Sequence, residues 1–375
     1  MKIGYHTVLL SFPIDFFTAE ALFESLETCS KERHAKHFKK EWKHISWTEF
    51  ELFKDKGLRI YLKDYHYRSD HRQFVYKAIE IRMNPKLLYE TKEYVEVSQY
   101  EDYKVIAAAF KKLLKPVRQA YKRFCSNNYN PLTLKFIFDD ISRYKVDRID
   151  YCINVRTPHM EKTMELIRRA DIPKTLEISL EDNSRTKRKE PYKNAFRIEN
   201  QSVVVHFYNK RYQLAQVFGD DFPEGQSAEE IIRLEVQCKK RKVNNLKQYY
   251  QVGDKSLLEF SRKELSDKVL LSYYEKTVGY EDYYTLQEAR LLISQSDYSR
   301  KAQERMIEVL ELINLKRSIW RAREEYEDEK KRFNEAIKRI KKMGINPVTI
   351  PIGWGIQELP NLLKEVAVVY DPING

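Results

Sequence analysis

The sequence predicts an α+β fold: an antiparallel sheet domain over residues 1–245, followed by a mostly helical C-terminal domain over residues 246–375. Three observations lead there. Before residue 245, several runs alternate apolar and polar residues with period two. After it, strand patterns fade and long helical patterns take over. At 375 residues the chain exceeds one typical domain, and 42% hydrophobic with 13% aromatic residues is enough to fill two cores.

The elements follow in order. Residues 5–12 alternate as a strand, and "TAEALFESLETC" has helical spacing with Thr18 as its N-cap. The opening segment contains Asp15 and Glu20 and no small-residue cleavage site, so it reads as strand and helix and not as a signal peptide. "LRIYLKDY" and "QFVYKAIEIRMNPKLLY" predict adjacent strands, the second closed by Asn84-Pro85. "YEDYKVIAAAFKKLLKPVRQAYKRF" is helical with an interruption near Pro116. "VDRIDYCINV" is a strand, and "TPHMEKTMELIRRA" is an amphipathic helix with Thr157 as N-cap and Pro158 at its first position. "DNSRTKRKEPYKN" reads as a basic loop, and "SVVVHFYNKRYQL" and "EEIIRLEVQCKKRKV" as strands. Beyond residue 245, "TLQEARLLISQ" and the long stretch 298–344 are helical, the latter with a break near "NLKRSI" and a stop at Gly344.

Composition narrows the function classes. The formal net charge is +12 and the pI is about 9.2, which points to a polyanionic partner, most often nucleic acid. Mean hydropathy is −0.66, and no apolar run reaches the roughly 18 residues a membrane span requires. The four cysteines form no C-x-x-C pair, so neither a zinc ribbon nor a dithiol motif is indicated, and buried reduced thiols are expected.

Alternation sorts four strands onto two faces. Val203, Val205 and Phe207 oppose Val204, His206, Tyr208 and Lys210. Ile149, Tyr151, Ile153 and Val155 oppose Arg148, Asp150, Cys152 and Asn154. Ile232, Leu234, Val236 and Cys238 oppose Arg233, Glu235, Gln237 and Lys239, while Ile79, Ile81 and Met83 oppose Ala78, Glu80 and Arg82. A half-exposed sheet always has one polar face, and for one strand alone that reading suffices. If the four strands are neighbours, however, Glu80, Asp150 and Glu235 converge as hard oxygen ligands for Mg²⁺ or Mn²⁺. Spacing alone establishes neither the adjacency nor the convergence.

Tyr208 and Lys210 on such a face suit phosphoryl chemistry. A phenol with a pKa near 10 is a poor nucleophile at neutral pH. A cation that polarises the scissile phosphate, with a lysine nearby, stabilises the charge that develops as the phenol attacks. The resulting phosphotyrosine ester conserves the energy of the phosphodiester, so the strand can be rejoined.

These blocks, in this order, resemble the rolling-circle replication initiators, in particular the filamentous-phage gene II endonucleases and the plasmid initiators without a His-x-His motif. The resemblance lies in "IEIRMNPKLL" (79–88), "VDRIDYCINV" (146–155), "VVVHFYNKR" (203–211) and "IIRLEVQCKKRKVNNL" (231–246), with "MGINPVTIPI" (343–352) similar to a late segment of the gene II pattern. It implies that Tyr208 nicks the origin with Lys210 assisting, and that Asp150, Glu235 and Glu80 hold Mg²⁺ or Mn²⁺. Asn154 and Gln237 stand where the pattern often has acidic residues, so the number of protein ligands stays open; Arg148, Arg233 and His206 complete the expected site. The implied partners are origin DNA together with a host helicase and DNA polymerase, in the cytoplasm of a bacterial host, with no membrane and with a homodimer left open. A conjugative relaxase acting on a transfer origin, and a non-catalytic DNA-binding regulator, are the alternatives.

Other motifs are weaker. In "ERHAKHF" the histidines have the spacing of a helical pair but no glutamate of the H-E-x-x-H type between them. Neither G-x-x-x-x-G-K-[ST] nor G-x-S-x-G occurs, so no motor and no hydrolase elbow is built in. Two basic runs flank the expected site: Arg185, Lys187 and Arg188 before the tyrosine strand, and Lys239, Lys240, Arg241 and Lys242 after the Glu235 strand. Such runs bind phosphates by releasing counterions. Tyr192 and Tyr212 are candidates for stacking on bases.

Overall fold

The computed structural model describes residues 2–69, 72–90, 92–128, 137–183, 188–191, 194–326 and 329–364. β1 (Ile3–Ile14) leads into α1 (Phe16–Glu32). The cap of this helix is Asp15 and not Thr18, because the Asp15 carboxylate sits directly at the strand exit and accepts from the Thr18 N–H at 2.7 Å. A meander follows: β2 (His37–Trp42), β3 (Ile45–Phe53), β4 (Leu58–Ser69) and β5 (Arg72–Met83). The chain turns at His34, with φ of 52°, and His37 opens β2, so the two histidines of "HAKH" do not share a helix.

Asn84 caps α2 (Pro85–Tyr89), and α3 (Tyr103–Leu113) and α4 (Lys115–Asn128) are separated at Leu114, beside Pro116. β6 (Lys145–Arg156) is followed by α5 (Met160–Ile167). Thr157 does not cap that helix; it forms a short turn in which its hydroxyl accepts from the His159 N–H at 3.3 Å, and the helix starts three residues on. β7 (Glu177–Ile178) precedes β8 (Leu180–Asn183) and β9 (Arg188–Pro191), which pair antiparallel. The basic segment expected as a loop is therefore partly a hairpin. β10 (Ala195–Glu199) and β11 (Val203–Asn209) lead into α6 (Lys210–Phe218). β12 (Ile231–Cys238) leads into α7 (Lys240–Tyr249).

The remainder is mainly helical, as its pattern predicts: α8 (Leu257–Phe260), α9 (Lys263–Thr277), α10 (Leu286–Ser294), α11 (Arg300–Lys316), α12 (Ile319–Glu325) and α13 (Lys330–Lys342). The break near "NLKRSI" is real. Arg317 takes a left-handed conformation with φ of 55°, and the Ser318 side chain caps α12. Gly344, at φ of 77°, follows α13.

The strands build a large antiparallel sheet of ten, in the order β2-β3-β4-β5-β1-β6-β12-β11-β10-β7. The chain divides into two compact units, one of residues 2–153 with 237–267, the other of residue 1, 154–236 and 268–375. In the first, β-branched and aromatic residues such as Phe50, Ile60, Ile79 and Ile81 are fully buried, and Phe23 of α1 packs edge-on against Phe50 at 5.9 Å. In the second, Phe207 of β11 packs on Tyr274 of α9 at 6.1 Å. All four cysteines are buried and none is in a disulfide. Among the described residues no helix is long and apolar enough to cross a membrane.

One close approach in the first unit is sharply testable. Tyr5 and Ser98 exchange two backbone hydrogen bonds of 2.9 Å. A Cβ on neighbouring Gly4 would lie 2.3 Å from the Ser98 carbonyl oxygen. Gly4→Ala is expected to cost about 2 kcal/mol, read as a lower urea midpoint with an unchanged slope.

Candidate active site

The site begins with a strand that stops at Asn209, whereas the pattern "SVVVHFYNKRYQL" predicts strand through Leu214. Asn209 ends β11, and its side-chain oxygen accepts from the Tyr212 N–H at 3.0 Å, which starts α6. Lys210 therefore does not continue the polar stripe of the strand. It occupies the first turn of the helix, 2% exposed, with Nζ donating to Gln213 Oε1 at 2.7 Å. A buried lysine at the positive end of a helix dipole breaks two local rules at once. Departures of that kind concentrate at functional sites.

Tyr208 is 7% exposed, and its hydroxyl donates to Glu235 Oε2 at 3.0 Å. The His206 ring lies against the Tyr208 ring, with centroids 4.6 Å apart. Desolvation pushes the His206 imidazole down to about 4, against the pull of the Glu235 carboxylate. It is therefore neutral at pH 7. The sign of the linkage is definite. Between about pH 6.5 and 4 the unfolded chain protonates this histidine and the folded chain does not, so stability falls with pH through that window. His206→Gln is expected to remove about 2 kcal/mol of that loss, seen by comparing urea midpoints of the two proteins at pH 7 and pH 4.5.

The other expected residues are also held by hydrogen bonds or ion pairs. Arg233 is fully buried, and its Nε donates to Asn154 Oδ1 at 2.7 Å. Asp150 is fully buried and gripped by Arg148 through two hydrogen bonds of 2.8 and 2.6 Å. Glu80, 3% exposed, accepts from the Tyr65 hydroxyl at 2.5 Å and lies 2.5 Å from Lys63 Nζ. Gln237 is half-buried on β12. The polar stripes are only partly solvated: Asp150, Cys152 and Val204 are inaccessible, whereas Arg82 is exposed.

Glu235 offers the hard oxygens that Mg²⁺ or Mn²⁺ takes, whereas both oxygens of Asp150 are already engaged by Arg148. Both oxygens of Glu80 are engaged by Lys63 and Tyr65, so Glu80 does not fit as readily. Among the described residues no group of three His, Cys, Asp or Glu side chains is assembled as a metal site.

Of the basic residues, Arg185 and Lys187 lie outside the described residues, and Arg188 opens β9. Lys239 is the N-cap of α7, and Lys240, Arg241 and Lys242 form its first turn. Four cations at the positive end of a helix repel its dipole, a cost that a polyanion would remove. Lys240 reaches Asp147 at 3.0 Å, and Lys255 holds the same carboxylate at 3.1 Å. Asp147 escapes the sequence reading because it is one residue out of phase with the Arg148/Asp150 stripe; only its placement between two lysines marks it.

No family model and no curated protein matches the chain. Among solved structures, the chain is similar to a rolling circle replication initiator protein from Geobacillus stearothermophilus, with 12% identity, 66% of this chain and 78% of that one covered, and a TM-score of 0.30. It is also similar to the di-domain ARO/CYC StfQ from the steffimycin biosynthetic pathway, with 9% identity, coverage of 71% and 93%, and a TM-score of 0.20.

Proposed function

We propose that this protein initiates rolling-circle DNA replication by nicking one strand of an origin through Tyr208 and later rejoining it. The observation that carries the reading is the Tyr208 hydroxyl held on the Glu235 carboxylate, with neutral His206 against its ring. The ordered motif blocks described above support it. The Tyr208 oxygen attacks the scissile phosphorus while its proton passes to Glu235. The bond from phosphorus to the 3′ oxygen breaks, and that oxygen leaves as a hydroxyl after taking a proton. The 5′ phosphate stays on Tyr208 as an ester of similar energy, so the reverse reaction seals the strand. Lys210 adds a positive charge to the first turn of α6, two residues beyond the nucleophile, where developing negative charge is stabilised.

Glu235, which holds the Tyr208 hydroxyl, is the residue that would bind Mg²⁺ or Mn²⁺, which supplies Lewis-acid polarisation of the phosphate. The freed 3′ hydroxyl primes synthesis by a host DNA polymerase, with a host helicase opening the duplex. The test uses supercoiled plasmids carrying candidate origins, incubated with either metal and run on denaturing gels. Relaxed circles with a covalent protein–DNA adduct support the reading. Tight binding to an origin with no nick and no adduct in either metal would make the protein a DNA-binding regulator instead.

A further inference from the structure

The four-stranded meander β2–β5 presents a face that the nicking chemistry does not use. Its registers place Phe38, Lys40 and Trp42 of β2 on the same side as Trp47 of β3, Tyr65 and Tyr67 of β4, and Tyr76 of β5. On the opposite side, His37 and Phe50 pack against Phe23 of α1. On the aromatic side, Trp42 is 61% exposed, Tyr67 57%, Tyr76 46% and Phe38 41%. Large rings exposed together on one sheet face are uncommon on a soluble surface and mark a binding site.

The charge on this face is layered. Its carboxylates, Glu49 and Glu80, are 5% and 3% exposed. Above them sit the cations: Lys40 at 3.2 Å and Arg59 at 2.7 Å from Glu49, and Lys63 at 2.5 Å from Glu80. A molecule approaching from solvent meets rings and ammonium groups, with the negative charge beneath. Lys43 Nζ lies 4.5 Å from the Trp42 ring centroid and Lys40 Nζ 5.9 Å from that of Phe38, so cations already hover over the ring faces. Tyr76 is paired across the sheet with Tyr65, their ring centroids 5.8 Å apart, and Tyr67 follows Tyr65 on the same face, so neighbouring rings can serve neighbouring bases.

We propose that this face is a single-strand DNA platform, on which unpaired bases stack on Trp42, Tyr67 and Tyr76 while phosphates meet Lys40 and Lys43. Stacking needs bare base faces, which a duplex hides, so the occupant is the unpaired strand and not the double helix. The platform rests on the nicking reading only for the source of its ligand, the strand opened at an origin.

The test is fluorescence anisotropy of labelled oligo(dT), and of the same oligonucleotide annealed to oligo(dA), with the full chain. Oligo(dT) is expected to bind more tightly than the duplex. Trp42→Ala and the double variant Tyr67→Ala/Tyr76→Ala are each expected to weaken oligo(dT) binding about tenfold or more. Tyr67→Phe and Tyr76→Phe keep the rings and are expected to bind as the wild type does, which separates stacking from misfolding. Tyr208→Phe is expected to retain oligo(dT) affinity while losing nicking, so failure of the platform and failure of the nucleophile are read on different assays. The proposal is overturned if the alanine variants bind oligo(dT) as tightly as the wild type, or if the duplex binds equally well. Failure of the wild type to bind oligo(dT) overturns it as well, and would leave the exposed edge strand β2 as a docking edge for another protein.

Discussion

Tyr208→Phe is expected to abolish nicking, with the cleavage rate falling at least about 10⁴-fold and the covalent adduct disappearing. The change deletes one oxygen and leaves the ring against His206, so packing is retained. Stability should fall by only about 1 kcal/mol, the value of one hydrogen bond to a carboxylate that can turn to other donors. Origin binding should persist, since affinity comes from many phosphate contacts and the variant removes one hydroxyl. The readout is the denaturing gel of supercoiled plasmid in Mg²⁺ or Mn²⁺, with wild type alongside. An adduct of undiminished yield in the variant would move the chemistry to another of the 26 tyrosines and sink the assignment.

Glu235→Gln is the second large effect. The glutamine is isosteric and can still accept the Tyr208 hydrogen bond, but it cannot take up the proton as the phenol attacks. Loss of a positioned proton acceptor costs about 10²- to 10³-fold in rate. If Glu235 acted only as a metal ligand, a higher concentration of Mn²⁺ would restore the rate; as proton acceptor it leaves a deficit that metal cannot repair. The expected result is a nicking rate that stays low across the whole Mn²⁺ titration, with DNA affinity unchanged. A rate near wild type at any metal concentration would remove Glu235 from the proton path.

Both predictions depend on residues that alternation alone had singled out. Period two places His206 and Tyr208 on one side of their strand and Glu235 on one side of its own, because successive side chains in a strand must point to opposite faces. The same logic misplaced Lys210. "YNKRYQL" contains neither glycine nor proline, so nothing in its pattern stops the strand. The stop is an asparagine cap, a side chain folding back on its own backbone, and such a cap competes with strand continuation on nearly equal terms. Thr18 and Thr157 were misread for the converse reason: each is a good cap residue, but the helices begin where Asp15 and His159 leave the preceding segment.

The meander shows a different limit. β2, "HFKKEW", is exposed along its whole length, so it lacks the buried stripe on which recognition of a strand depends. Its aromatic side becomes visible only once the register sets Trp42 opposite Ile45 and Tyr65 opposite Tyr76.

The sequence by itself determined the α+β class, the helical character of the chain beyond residue 245, and the residue types available for phosphoryl chemistry, because each is a local matter of composition and period. Tertiary structure alone decided the partners. Tyr208 meets Glu235 across 27 residues, and Glu80 is claimed by Lys63 and Tyr65. Sheet neighbours are chosen by the burial of whole faces across distant stretches of chain, so a pattern that repeats every two residues says which way a side chain points and nothing about what it will meet.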